Sequence, residues 1–378
     1  MKTVYHFLLT LTLICTTATT FAQELALVRE DGKFGYIDKS ANYAIEPQFE
    51  NAKSFSDGLA AAEMDKKWGY IDASGDWAIE PQYDKVKYFN SGLALVVKDD
   101  EWVYIDKNNQ VLEIPPMADK LYDFDQGVAL FRSMNQVGLL GTDGKLVLEP
   151  SYDVIKDIKN GHAKVKKMER WGMIDLTGKE VIPTEYEDIG NTWSPNGVYG
   201  KKDGTYGIIH NGSFNPIEGA TDVWIFHKDA KLTYAEMDKK IGYVDSSGKW
   251  VIEPQFDKAR AFSDGLAPVA NGKTWGFIDE TGKMVIEPQY RDAEVFSDGL
   301  APVKEKDWGF IDTSGKMVIP TDYDITAGLA FLAGKNEKGF IDGLARVKTK
   351  KGWGFLDTSG NLLGDKWFEN AEPFVKVE

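Results

Sequence analysis

Carboxylates are the most abundant groups in this chain that could do chemistry: it holds 59 Asp and Glu residues. Two of them flanking a glycosidic bond suffice to hydrolyse it, one as acid and the other as base or nucleophile. Eight aspartates, however, occupy one and the same place after an apolar run: Asp38, Asp72, Asp106, Asp175, Asp245, Asp279, Asp312 and Asp357. A catalytic pair is singular, so a residue present in copy after copy serves a need of every copy. Capping a tight turn is such a need. Repeated calcium ligation is the rival chemistry, yet a calcium loop gathers several oxygens within a few residues, and Asp-x-Ser/Thr-Gly offers few. The histidines His162, His210 and His227 share no spacing; His162 stands where a Leu recurs and His210 where an Asp recurs. These are drifted repeat positions. No metal-ligand run, nucleophile elbow or phosphate-cradling loop accompanies them. The expectation is a protein that is not an enzyme and that needs neither cofactor nor metal.

The first residues, MKTVYHFLLTLTLICTTATTFAQ, put one cation (Lys2) before an apolar run and then small residues. That order predicts a secretory signal peptide over 1–22, with export to the periplasm, the cell surface or the medium. It also contains the sole cysteine, Cys15, leaving residues 23–378 without a disulfide or thiol site. The net charge of −15 is spread without a basic stripe, which excludes nucleic acid as a partner on electrostatic grounds. Beyond the signal, no run approaches the roughly 18 apolar residues that a spanning helix requires.

The elements that position these residues come from an internal repeat. The motif reads FGYID at Phe34, WGYID at Trp68, WVYID at Trp102, VGLLG at Val137, WGMID at Trp171, YGIIH at Tyr206, IGYVD at Ile241, WGFID at Trp275 and Trp308, and WGFLD at Trp353. Successive anchors lie 33 to 35 residues apart, except the last interval of 45. After six of the eight Asp residues comes a polar turn ending in Gly, such as Gly75, then a short apolar piece. Glu-Pro-Gln-Phe/Tyr and Phe-Ser-Asp-Gly-Leu-Ala complete the unit. Short aromatic and β-branched runs bounded by turn residues predict strands, about three per unit, with the third ending at its proline, as at Pro81. The structural positions of the repeat are then Trp68, Gly69, Asp72, Gly75 and Pro81, with Trp275, Gly276, Asp279, Trp308, Gly309, Asp312, Trp353, Gly354 and Asp357 as counterparts. Glycine weakens a strand unless something fills the space above it, and a bulky ring from the adjacent unit is the expected filler.

These copies resemble the WG-repeat family of bacterial proteins (KWG repeats), and the stretch KTWGFIDETGKMVIEPQYRDAEVFSDGLA from Lys273 to Ala301 matches its pattern at nearly every position. The resemblance spans essentially the whole of 23–378. It implies an exported or surface protein whose repeats serve as interaction modules, and it supplies no catalytic residue.

About ten units of three strands predict an all-β superhelical solenoid, which takes any number of units. A closed propeller is the alternative, disfavoured because its blades usually have four strands and number four to eight. Function is sought where the pattern fails, at 190–235 and 325–351. In the first of these, Trp193 and Trp224 are the candidate exposed anchors. The leading reading is a scaffold for a protein partner. Glycan binding in the cell envelope comes second and a glycoside hydrolase third.

Overall fold

The computed structural model describes residues 23–324 and 338–378. The predicted signal peptide and residues 325–337 of the extra stretch lie outside the described residues. Apart from one 3₁₀ turn at Leu363–Asp365, every regular element among the described residues is a β-strand, as the aromatic and β-branched runs predict.

A typical unit holds four strands, Asn51–Ala52, Ala60–Met64, Lys67–Ile71 and Trp77–Tyr83, each antiparallel to the next. The expected count of three misses the two-residue strand, which is too short to show any alternation. Asp65 and Lys66 both take positive φ in the hairpin between the second and third strands, the geometry that suits the strand twist.

Ten such sheets follow one another among the described residues, nine of three to five strands and one, the third in order, reduced to the pair Leu93–Lys98 and Glu101–Asp106. The first sheet lacks a short strand of its own. Its strand Glu24–Glu30 is flanked instead by Asn370–Ala371 and Val375–Lys376 from the far end of the chain. Backbone bonds from Glu369 to Arg29 and from Glu372 to Leu27 close the seam, and Ala26, Val28 and Ile37 pack there with Phe355, Phe368 and Ala371. The array is therefore a ring, a β-propeller of nine full blades plus the reduced sheet. The open superhelix is overturned. The strand count that argued for it fails, since a typical unit has four strands, and the two ends of the chain complete one blade between them.

The core lies between sheets. Leu266, Trp275, Phe277, Ile286 and Tyr290 of one sheet form a single cluster with Ala293, Phe296, Val303 and Ile311 of the next. A ring pair marks the same place around the molecule, from Tyr36–Phe55 and Tyr70–Phe89 to Phe277–Phe296 and Phe310–Phe340, with centroids 4.6 to 5.1 Å apart. The tyrosine hydroxyls of these pairs donate to a backbone oxygen in the following sheet: Tyr36 to Lys53, Tyr70 to Lys87, Tyr243 to Arg260. The Ser-Asp-Gly turns link neighbours too, because the Gly92, Gly299 and Gly343 amides donate to Asp57, Asp264 and Asp298 of the preceding sheets.

The strand glycines have a different cause from the one expected. A Cβ on Gly276 would sit 2.4 Å from the Ile286 carbonyl oxygen and 2.8 Å from the Pro288 nitrogen, and Gly35, Gly69, Gly242 and Gly309 meet the same obstacle. The space is filled by backbone of the same sheet's last strand, not by a ring from the neighbour. That strand bulges there: Trp68 pairs with Tyr83, but Tyr70 pairs with Ile79. Pro81 lies inside the strand Trp77–Tyr83, at the bulge, where an amide is not needed. It does not end the strand. Gly354 is the variant of this pattern, with the Leu362 and Trp367 side chains as its obstacles.

The recurrent aspartates cap turns. The Asp312 carboxylate accepts from the amides of Ser314 and Lys316 and from the Ser314 hydroxyl, and Asp72 and Asp279 do the same in their own turns. The turn glycine keeps a positive φ, +89° at Gly75, and a Cβ there would press on Ile45 of the preceding sheet.

Two predictions follow from this packing. Gly276→Ala costs about 2 kcal/mol or more of unfolding free energy, as overpacking against backbone does, read from denaturant unfolding. The Ser314 hydroxyl, and to a smaller degree the backbone amides, hold the Asp312 carboxyl below its ordinary value of 3.8. A carboxyl lowered on folding adds stability above its unfolded value and surrenders it as pH falls through the folded one. Thermal melts therefore lose stability below about pH 4, and Asp279→Asn with Asp312→Asn makes that loss shallower.

Candidate functional site

The one sheet that is reduced is also the one whose motif lacks the strand glycine. Val103 occupies the slot of the strand glycine. Where the neighbours' last strands bulge within 2.3 to 2.8 Å of a Cβ in that slot, a valine leaves no room. A last strand begins, since Val111 bridges Ile105 and the Leu112 amide donates to the Tyr104 carbonyl. It stops short of the bulge. Pro115 and Pro116 then follow, and neither has an amide to donate.

The missing strand leaves a cavity of about 820 Å³ between this sheet and the next, and its walls include Lys87, Glu101, Trp102, Pro115, Asp119, Lys120, Tyr122 and Asp123. That size lies in the range of small-ligand sites. Trp102 is 41% exposed, whereas its counterparts Trp275 and Trp308 are 7% exposed. It is the only one of the eleven tryptophans classed as exposed.

The charges beside the cavity interact across several sheets. Burial pushes the Asp123 carboxyl up, and Lys87 and Lys53 act against that rise. Burial pushes the Lys53 ammonium down, and nearby Lys87 pushes it the same way. The arrangement offers one open aromatic face, the exposed carboxylates of Glu101, Asp119 and Asp123, and two cations, Lys87 and Lys120. It can hold a ligand that combines an apolar or π-binding face with charge.

The anchors expected at Trp193 and Trp224 sit elsewhere. Trp193 stacks on His162 with centroids 4.8 Å apart and planes 8° from parallel, and it packs on the cluster of Met173, Ile182 and Ile189. Trp224 stacks on Tyr234 at 4.8 Å and 15°. Both are half-buried, each with one ring face occupied. The repeat positions Trp68, Trp275, Trp308 and Trp353 pack against clusters of buried residues. The cavity at Trp102 was missed, although its signals stand in the sequence: Val for Gly at position 103 and the Pro115–Pro116 pair where Glu-Pro-Gln recurs.

The fold and its repeating core define a β-propeller built of short aromatic-glycine repeats. The model of the WG containing repeat matches residues 34–68, 68–102, 138–168, 171–200, 241–275, 275–307 and 308–325, more than half of the chain, and the chain belongs to this family. Residues 103–137, which hold the cavity walls from Val103 to Asp123, fall between the matches. A search of curated proteins finds no match. Among solved structures, the chain is similar to a eukaryotic initiation factor at 12% identity, covering 79% of this chain and 95% of that one with a TM-score of 0.45. It is similar to Hsv2 of Kluyveromyces lactis at 9% identity, over 71% and 99% of the two chains with a TM-score of 0.31. A third similarity is to PorZ, a bacterial surface component of the type-IX secretion system of Porphyromonas gingivalis, at 11% identity over 90% and 57% with a TM-score of 0.25. These likenesses are remote, and no functional argument rests on them.

If Trp102 is the accessible indole, acrylamide quenches the wild-type emission more than that of Trp102→Phe, whereas Trp275→Phe leaves the quenching unchanged.

Proposed function

We propose that the chain is a non-enzymatic, exported interaction protein whose propeller presents the cavity at its reduced sheet to a protein partner. The observation that carries this reading is the break in an otherwise regular ring. One sheet loses its last strand and thereby exposes the one open tryptophan, beside the charged groups of Glu101, Asp119, Lys120 and Asp123. A propeller needs no such opening for stability, because every neighbouring sheet closes the same place with its own backbone. The repeated aspartates are spent on turn amides, and His162 on a stacking contact and a bond to the Asn160 carbonyl, which speaks for binding rather than catalysis. Export rests on the N-terminal sequence alone. Glycan binding, which needs exposed rings, has Trp102 as its strongest foothold.

Affinity capture from the organism's own cell envelope tests the reading. The wild-type chain retains a defined protein, Trp102→Ala loses it, and the double variant Trp193→Ala with Trp224→Ala keeps it. Equal capture by wild type and Trp102→Ala overturns the placement of the site.

A further inference from the structure

The ring carries a second regularity besides its glycine contact. Eight repeats place an aromatic ring in the slot before the strand glycine: Phe34, Trp68, Trp102, Trp171, Tyr206, Trp275, Trp308 and Trp353. Seven of these rings are covered by a cation of the protein itself, with Arg29, Lys53, Lys164, Lys201, Arg260, Lys304 and Arg346 lying 4.2 to 5.6 Å from the centroids. Trp102 is the exception among the described residues, and it is the exposed one.

The residue that fills this role in other sheets is present but displaced. Lys53, Lys156 and Arg260 stand two positions before Phe55, Ile158 and Phe262 of their sheets and lie over Trp68, Trp171 and Trp275. Lys87 has the same place before Phe89 and lines the cavity, yet it is not over Trp102. Its charge acts on Asp123 instead. The other cation of the walls, Lys120, lies over Tyr122 at 4.9 Å. The face of Trp102 is thus a cation slot without its cation. Three carboxylates share the walls with it, Glu101, Asp119 and Asp123, and Asp119 is engaged by the Met134 amide. The chain as a whole carries −15, so long-range attraction also favours a positive ligand.

We propose that this cavity binds a guanidinium or ammonium group, the basic side chain of a partner protein, held over the Trp102 indole with Glu101 and Asp123 as its counter-charges. The proposal rests on the reading of the cavity as an interaction site and names the chemistry of what enters it. Arginine suits the slot better than lysine, because its planar group stacks on an indole and donates sideways to carboxylates at the same time.

Calorimetric titration of the chain from residue 23 onward with acetyl-Gly-Arg-Gly-amide, and with the neutral citrulline isostere, tests this. The arginine peptide binds at least ten-fold more tightly than the citrulline peptide. Trp102→Ala abolishes the binding, Trp102→Phe retains part of it, and Asp123→Asn weakens it. Thermal melts show that the exposed-site variants keep the wild-type fold. Equal affinity for the two peptides, or arginine binding that survives Trp102→Ala, overturns the proposal. A partner captured through Trp102 together with no arginine binding overturns the ligand class and leaves the interaction reading standing. Arginine binding without any captured protein supports the slot and removes the partner.

Discussion

The whole ring depends on one close approach. In most sheets the last strand crosses directly over the strand glycine, with its carbonyl oxygen and proline nitrogen where a Cβ would have to be. That contact fixes the bulge between Trp68 and Tyr70 and their partners Tyr83 and Ile79. The bulge in turn gives proline a place that costs no ladder bond. It also returns Tyr83 to a pairing position beside Trp68, so the tryptophan is roofed by its own sheet and packs on the cluster shared with the next. Glycine, proline and tryptophan in the repeat are therefore one device.

The second constraint is that no sheet is complete without its neighbour. Core clusters span pairs of sheets, tyrosine hydroxyls bond into the following sheet, and turn glycines press on isoleucines of the preceding one. An open array would leave such a surface bare at each end. Here the first strand, Glu24–Glu30, takes its missing neighbours from Asn370–Ala371 and Val375–Lys376, and both ends are satisfied at once. Ring closure does for this array what capping repeats do for an open one.

Much of this was legible in the residues and some was not. Strands, turns and the capping aspartates follow from local chemistry, since Asp-x-Ser-Gly can satisfy its amides only one way. The short strand Asn51–Ala52 has no periodicity to betray it, and without it the count of strands argued for the wrong architecture. The filler over the strand glycine was also misjudged, because a sequence shows which side chains are bulky but not where backbone passes. Closure leaves a trace only when the two ends are compared: Leu25 to Val28 begins one unit in its middle, and Ala371 to Lys376 supplies the strand that it lacks.

The relation between sequence drift and structural departure is the least intuitive part. From 190 to 235 the motif is almost unrecognisable, yet the strands Asp188–Ile189, Val198–Lys202, Thr205–His210 and Ser213–Pro216 form a full four-stranded sheet. The links around the ring are kept by other side chains, with Asn160 donating to the Trp193 carbonyl and Asn196 to that of Ala230. Gly207 keeps its slot, and a Cβ there would still meet the Asn215 carbonyl oxygen at 2.5 Å. The third sheet departs far less in sequence, for Trp102, Tyr104, Ile105 and Asp106 are all in place. Its strand glycine is exchanged for Val103 and its Glu-Pro-Gln for Ile114-Pro115-Pro116, and it is this sheet that loses a strand and opens a cavity. Many substitutions at positions that only fill space can be absorbed by repacking. One added side chain where backbone meets backbone cannot.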